Sequence, residues 1–294
     1  VTSYCLLDAL RPEHVRSLEN ALSALDSLPG DGLDKRLSAG GFETTVTLDY
    51  ERTELEKDIV FLRTGANDGD AFTDYLTTHN AEMNRTSSFA AELAETVRFL
   101  RHTPVGTFVT DRDGTVNNYC GRYRSSHQSV WNAVYLTRFV GQRPAEPVIL
   151  TSAPLLVDGL LDLSAMPAGS THYAGSKGRE YYSRSGAEGG LEINDEQAAV
   201  LDDLNRRLDG LLSRDEYRAF SVIGSGVQRK FGQTTVARQD IHGSIPDERS
   251  QAFLDEIGQL VREVDPDGTV LGIEDTGKDI EIMLTRSEER RVGK

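Results

Sequence analysis

Cysteine is scarce in this chain of 294 residues: it has two, Cys5 and Cys120, too few for a disulfide framework and without metal-ligand spacing. No apolar stretch approaches the roughly 20 residues a membrane helix needs, and no basic-then-apolar segment opens the chain as a secretory signal would. Positive charge is also short, with 32 Lys and Arg against 47 Asp and Glu and a formal charge of −15. That balance argues against nucleic acid or an anionic membrane as the main partner, so an anionic ligand would need a local cationic site. The expected compartment is the cytoplasm. The length exceeds the usual single core and suggests about two domains.

The first hundred residues carry no motif of chemistry. A helix is expected after Arg11-Pro12, where Pro suits the first turn and Val15, Leu18, Leu22 and Leu25 recur at helical spacing, until Gly30-Asp-Gly32 ends it. Phe42, Thr44, Val46, Leu48 and Tyr50 alternate with polar residues like a half-buried strand. A polar segment from Ala66 to Asp74 follows, then a helix from about Ser87 with Phe89, Leu93, Val97 and Leu100 on one stripe. His79 and His102 lack partners at metal-ligand spacing.

What is present begins at Val105-Gly-Thr-Phe-Val-Thr110, an apolar run that stops on Asp111-Arg-Asp-Gly-Thr115. It reads as a strand delivering two carboxylates to its carboxyl end, with Gly114 letting the backbone turn sharply. One carboxylate can attack while the other moves protons, a division of labour that suits transfer of a phosphoryl group. The stretch resembles motif one of the haloacid dehalogenase superfamily, a strand followed by Asp-x-Asp-Gly-Thr. The resemblance implies Asp111 as nucleophile and Asp113 as acid/base, both on Mg²⁺, with Gly114 and Thr115 against the substrate.

Pro147-Val-Ile-Leu-Thr-Ser-Ala-Pro154 is a second apolar run ending in hydroxyls, about forty residues on, the distance of one crossover helix. Residues 126–140 supply that helix. The run resembles motif two, whose hydroxyl binds the transferring phosphoryl group; Thr151 is favoured and Ser152 is the other register. His172-Tyr-Ala-Gly-Ser-Lys-Gly-Arg-Glu180 narrows the resemblance to trehalose-6-phosphate phosphatases and related sugar phosphatases, which carry a similar element just before their cap. Gly175 and Gly178 would let the backbone turn close to a ligand and Lys177 would meet its charge, although those families commonly have His at the Lys177 position.

From about Ser183 to Leu284 the pattern is that of an α/β cap. Asn194-Asp195 can cap a helix with Leu201, Leu204, Leu208 and Leu211 on one face, and Asp247 can start another with Phe253, Ile257 and Leu260. The resemblance places Gln228 and Lys230 on a sugar-recognising strand between them. His242 has no assigned role. Glu274 to Leu284 admits two readings. As motif four, Asp275 and Asp279 would complete the Mg²⁺ site; as two strands joined by Asp-Thr-Gly-Lys it is a hairpin. In the hairpin reading the motif-three lysine falls on Lys294, and the closing strands of the catalytic sheet and the true acidic motif are missing from the chain.

The resemblance therefore implies an α/β fold: a doubly wound, Rossmann-like parallel-sheet core of the haloacid dehalogenase type, an inserted α/β cap and a mixed helical N-terminal extension. The expected divisions are 1–100 for the extension, 101–182 for the first part of the core, 183–284 for the cap and 285–294 for the return to the core. It implies Mg²⁺-dependent hydrolysis of a sugar phosphate, of the trehalose 6-phosphate or glycosyl-glycerol phosphate type, through an aspartyl-phosphate. The alternative is a catalytically silent or truncated module beside a sugar-phosphate synthase. Oligomeric state is not legible.

Overall fold

The computed structural model describes all residues except 40–41, 66–68, 80–88, 123–124, 143–145, 157–158, 242 and 286–294. Its strands form three sheets. The first third contains α1 (Thr2–Leu6), α2 (Pro12–Asp26), a small antiparallel sheet of β1 (Gly30–Asp31), β2 (Asp34–Ala39) and β3 (Phe42–Thr47), then α3 (Asp49–Val60), α4 (Gly69–His79) and α5 (Phe89–His102). Pro12 occupies the first turn of α2, as its missing N–H allows.

Two local expectations are corrected here. The alternating strand ends at Thr47, and Tyr50 lies in α3. Part of the segment read as polar, from Gly69, is helical and buries Phe72 completely against Phe61. Phe72, Tyr75 and Leu76 form an i, i+3, i+4 stripe, most of which lies beyond Asp74, where the segment read as polar ended.

The second sheet holds β4 (Thr107–Asp111), β5 (Glu146–Leu150), β6 (His172–Gly175), β7 (Glu180–Tyr182) and β8 (Glu188–Gly190), in that order. β4, β5 and β6 run parallel, while β7 and β8 turn back antiparallel, so the sheet is mixed. α6 (Val130–Gln142) makes the crossover from β4 to β5, and α7 (Leu160–Leu163) packs beside β6. β7 and β8 keep the chain in this sheet as far as Gly190, past the division expected at 183. Helix α6 is shared by two cores: Val130 and Val134 pack with Phe61, Leu62 and Phe72, and Ala133 and Val140 pack with Ile149, Leu160 and Tyr173.

The third sheet is antiparallel, in the order β11 (Leu271–Asp275), β12 (Asp279–Leu284), β10 (Gln233–Ala237), β9 (Val227–Lys230). α8 (Asp195–Leu212) and α9 (Asp247–Val264) cover one face of it. Asn194 caps α8 by accepting from the Gln197 N–H while the Gln197 side chain accepts from the Asn194 N–H, a reciprocal capping box. Leu204, Leu208, Phe253 and Ile257 are fully buried beneath the sheet, each worth about 1.5–3 kcal/mol of burial. Phe220 stacks on Phe253 at 3.9 Å between centroids. The segment from Glu274 to Leu284 is thus the hairpin of the two sequence readings. Among the described residues no helix is long and apolar enough to cross a membrane.

Candidate functional site

β4 and β5 pair in parallel with Asp111 opposite Leu150, which sets Asp111 beside the Thr151-Ser152 turn at the carboxyl ends of both strands. Ligands of open α/β sheets gather at such ends. Gly114, at φ +86°, folds the next residues back, so that its N–H donates to the Asn117 carbonyl at 2.7 Å while the Asn117 N–H donates to Arg112 at 2.9 Å. The Thr115 hydroxyl donates to Asp111 Oδ2 at 3.2 Å.

Asp113 is held asymmetrically. Its Oδ1 accepts from Arg112 Nη1 at 2.7 Å and from Ser126 Oγ at 2.8 Å. Its Oδ2 has only a long approach of 3.5 Å from the Thr151 hydroxyl. Arg112 is buried, and its other guanidinium nitrogen donates to the Ser126 carbonyl. One oxygen is therefore fixed by two donors and the other is left for chemistry.

Across a cavity of about 140 Å³ stands the third sheet. Strand alternation puts Gln228 and Lys230 on one face of β9 and sends Arg229 to the other, where it pairs with Asp209. Cross-strand register aligns Gln228, Thr235 and Glu281 across three strands. Asp279 and Ser225 complete that wall, and Asp113, Tyr119 and Ser152 line the same cavity. Burial pushes the Lys230 ammonium down to about 8, with Glu281 and Asp279 opposing that shift and Lys177 and Arg179 adding to it. Burial likewise pushes the Asp279 carboxyl up, against the Ser225 hydroxyl and Lys230. A desolvated cation flanked by carboxylates can read an anionic, hydroxyl-rich ligand.

The turn between β6 and β7 joins the two sheets at three points. Lys177 Nζ donates to Glu281 Oε2 at 2.7 Å, Arg179 Nη1 to Gln233 Oε1 at 3.0 Å, and the Phe231 N–H to Ser176 Oγ at 3.0 Å. Lys177 adopts φ +60°, an uncommon conformation for a residue with a side chain.

Asp111, Asp113, Gly114, Thr115, Thr151 and Ser152 thus cluster at the carboxyl ends of β4 and β5 in the second sheet, where Asp113 and Ser152 face Gln228 and Lys230. Thr151 is buried and its hydroxyl accepts from the Ala153 N–H at 3.2 Å, whereas Ser152 lines the cavity. Three expectations change. Asp275 is not beside Asp279: it is paired with Ile280 in register, on the opposite face of the sheet from Asp279 and Glu281, and Arg238 takes its carboxylate at 2.6 Å. The close approach at Gly175 is to the protein itself, since a Cβ there would lie 2.9 Å from the Leu155 backbone nitrogen. The charge on Lys177 is met by Glu281. Lys294 and His242 lie outside the described residues.

Arg112, Ser126 and Glu281 were missed in the sequence. Only Glu281 had a signal, the polar-apolar alternation of Asp279-Ile-Glu-Ile.

Among the described residues no three His, Cys, Asp or Glu side chains converge on one metal position. Mg²⁺ nevertheless needs only one or two carboxylates when water and phosphate oxygens fill its remaining positions. Asp111 and Asp113, two residues apart at the carboxyl end of β4, suit that smaller donor set.

Comparison with known proteins adds a family. Residues 108–294 match the family described as "Trehalose-6-phosphate phosphatase, C-terminal". An α,α-trehalose-phosphate synthase [UDP-forming] of Caenorhabditis elegans is 31% identical over 98% of this chain and 23% of its own length. A trehalose-phosphatase of Brugia malayi is 32% identical over 67% of this chain and 42% of its own. The chain thus spans about a quarter of the length of the synthase it matches. Among solved structures, the C-terminal domain of Candida albicans trehalose-6-phosphate phosphatase aligns at a TM-score of 0.46 with 11% identity, covering 65% of this chain and 61% of that one.

Proposed function

Since the chain belongs to the trehalose-6-phosphate phosphatase family by its C-terminal domain, we propose that it hydrolyses the phosphomonoester of a sugar, with trehalose 6-phosphate as the leading substrate and glycosyl-glycerol phosphate as the other. The observation that carries this reading is the pair Asp111 and Asp113 at the carboxyl end of β4, with Asp113 facing Gln228, Lys230 and Glu281 across one cavity. In this reading β4, β5 and β6 with α6 belong to a doubly wound core of the haloacid dehalogenase type, residues up to about 100 form an extension, and the third sheet with α8 and α9 is the cap.

Asp111 attacks phosphorus, and the bond to the sugar oxygen breaks. Asp113 delivers a proton from Oδ2 to that oxygen, so the sugar leaves as an alcohol. An aspartyl-phosphate remains on Asp111. Asp113, now a base, takes a proton from water as the water attacks phosphorus, and phosphate departs. Ser152 and Thr151 supply neutral donors beside the phosphoryl group, and Gln228 and Lys230 hold the sugar side. Mg²⁺, held by Asp111 and Asp113, would offset charge on the phosphoryl oxygens. Lys294 is the proposed second cation. The compartment remains the cytoplasm.

A second reading, a catalytically silent module of a synthase-type protein, is favoured by the match of 98% of this chain to 23% of a protein named as a synthase. Phosphate release from a panel of sugar phosphates, with and without Mg²⁺, separates the two when Asp111→Asn is run beside the parent chain. Mg²⁺-dependent release that disappears in the variant supports hydrolysis; silence across the panel supports the module.

A further inference from the structure

One face of α3 is polar and turned inward, and four of its side chains hold the segment that carries or supports Asp113. Tyr50, Glu51, Glu54 and Asp58 recur at helical spacing. The Tyr50 hydroxyl donates to the His127 carbonyl at 2.9 Å and accepts from Asn117 Nδ2 at 2.9 Å. Glu51 takes Arg122 Nη2 with both oxygens, at 2.6 and 2.8 Å. Glu54 accepts from the Asn118 side chain, and Asp58 accepts from the Val130 and Trp131 N–H groups at 2.9 and 3.0 Å.

The path from this helix to Asp113 is short. Asn117 Nδ2 also donates to Ser126 Oγ at 3.4 Å, and Ser126 Oγ donates to Asp113 Oδ1 at 2.8 Å. Asn117 closes the Asp113 turn through its backbone as well. Asn117 and Ser126 are both buried, so water does not compete for these bonds. Burial pushes the Tyr50 hydroxyl well above its usual range, which keeps it neutral and able to donate and accept at once.

We infer that α3, through Tyr50, is a positioning element for the acid/base carboxylate: it fixes Asn117 and Ser126, which orient Asp113 so that Oδ2 alone faces the cavity. The N-terminal third is then a working part of the site rather than an appendage. In its turnover arm the inference rests on the phosphatase reading; in its exchange arm it does not.

The test compares Tyr50→Phe, Ser126→Ala and the double variant with the parent chain, with Asp111→Asn as the blank. Tyr50→Phe keeps the ring and removes the two bonds of the hydroxyl. Hydrogen exchange read on the full chain should quicken about tenfold at the amides of residues 112–118, the equivalent of roughly one lost hydrogen bond, and stay unchanged in α8 and α9. With a sugar phosphate, kcat should fall about tenfold at constant KM, and Ser126→Ala should add little to Tyr50→Phe, because both break one path. Unchanged exchange at 112–118 overturns the inference whether or not the parent chain releases phosphate. Unchanged kcat, or fully multiplicative losses in the double variant, overturns it in an active protein. A parent chain without turnover counts against the phosphatase reading alone, and exchange then decides the positioning role.

Discussion

Lys177, on the turn after β6, and Glu281, on β12, meet at 2.7 Å across the gap between the two sheets that enclose the candidate site. Glu281 also faces Lys230, so one carboxylate serves two cations from opposite walls. Lys177 is partly exposed, which limits the pair's contribution to stability to less than about 1 kcal/mol. Lys177→Ala is accordingly expected to leave the melting temperature nearly unchanged and to raise KM for a sugar phosphate severalfold. A large loss of stability with KM unchanged would give the pair to the fold alone.

Lys230 makes ligand capture depend on pH. Its folded value of about 8 lies below the unfolded value near 10.5, so the unfolded chain binds more protons between those pH values and stability from this residue rises across that window. Below pH 8 the cost of burying the cation is felt in full. Lys230→Met should therefore stabilise the protein at pH 7 by up to roughly 3 kcal/mol, while weakening binding of a sugar phosphate. In the parent chain KM should climb as pH passes 8. Urea melts and KM profiles from pH 6 to 10 check both parts, and a KM flat through pH 8 removes Lys230 from the ligand.

Asp58 acts in the opposite sense. Burial pushes its carboxyl up to about 7, a penalty larger than the gain from the Val130 and Trp131 N–H groups. The folded state binds the extra proton between about pH 4 and 7, so stability contributed by this residue falls as pH rises through that window. Asp58→Asn should lose less stability between pH 5 and 8 than the parent chain, by roughly 2 to 3 kcal/mol. Parallel curves for the two proteins would contradict a buried, titrating Asp58.

The opposed faces of the β11–β12 hairpin give a sharp contrast between two aspartates. Asp275→Asn should keep turnover within about twofold of the parent, as a substitution away from the cavity does. Asp279→Asn, which alters the cavity wall and the bond from Ser225, should cost about tenfold in kcat/KM. Equal losses would revive Asp275 as a shared ligand.

How much of this was legible depended on where each signal lay. Motif one, the helix cap at Asn194-Asp195 and the Asp-Thr-Gly-Lys hairpin turn are local in sequence, and the structure places each on the element its pattern implied. The same locality left motif four and the hairpin unresolved between themselves, because face assignment on β11 needs the register with β12. The inward side of α3 was invisible for a different reason. Periodicity arguments look for an apolar stripe, whereas this face is polar and bonded to residues about seventy positions away. Arg112 reads as an exposed loop residue until Ser126 and Asp113 are seen around it.

Helix α6 draws its side chains into two cores at once, and its first turn is capped from α3. That arrangement sets an order in time. Residues 58–72 leave the ribosome before Val130 does, so their apolar side chains must wait for a partner made later, and neither core can close around α6 without the other. The long-range contacts reward the chain only after a large loop has been closed. Cooperative, all-or-none acquisition of the elements from α1 to β6 follows, because both cores close on the one helix.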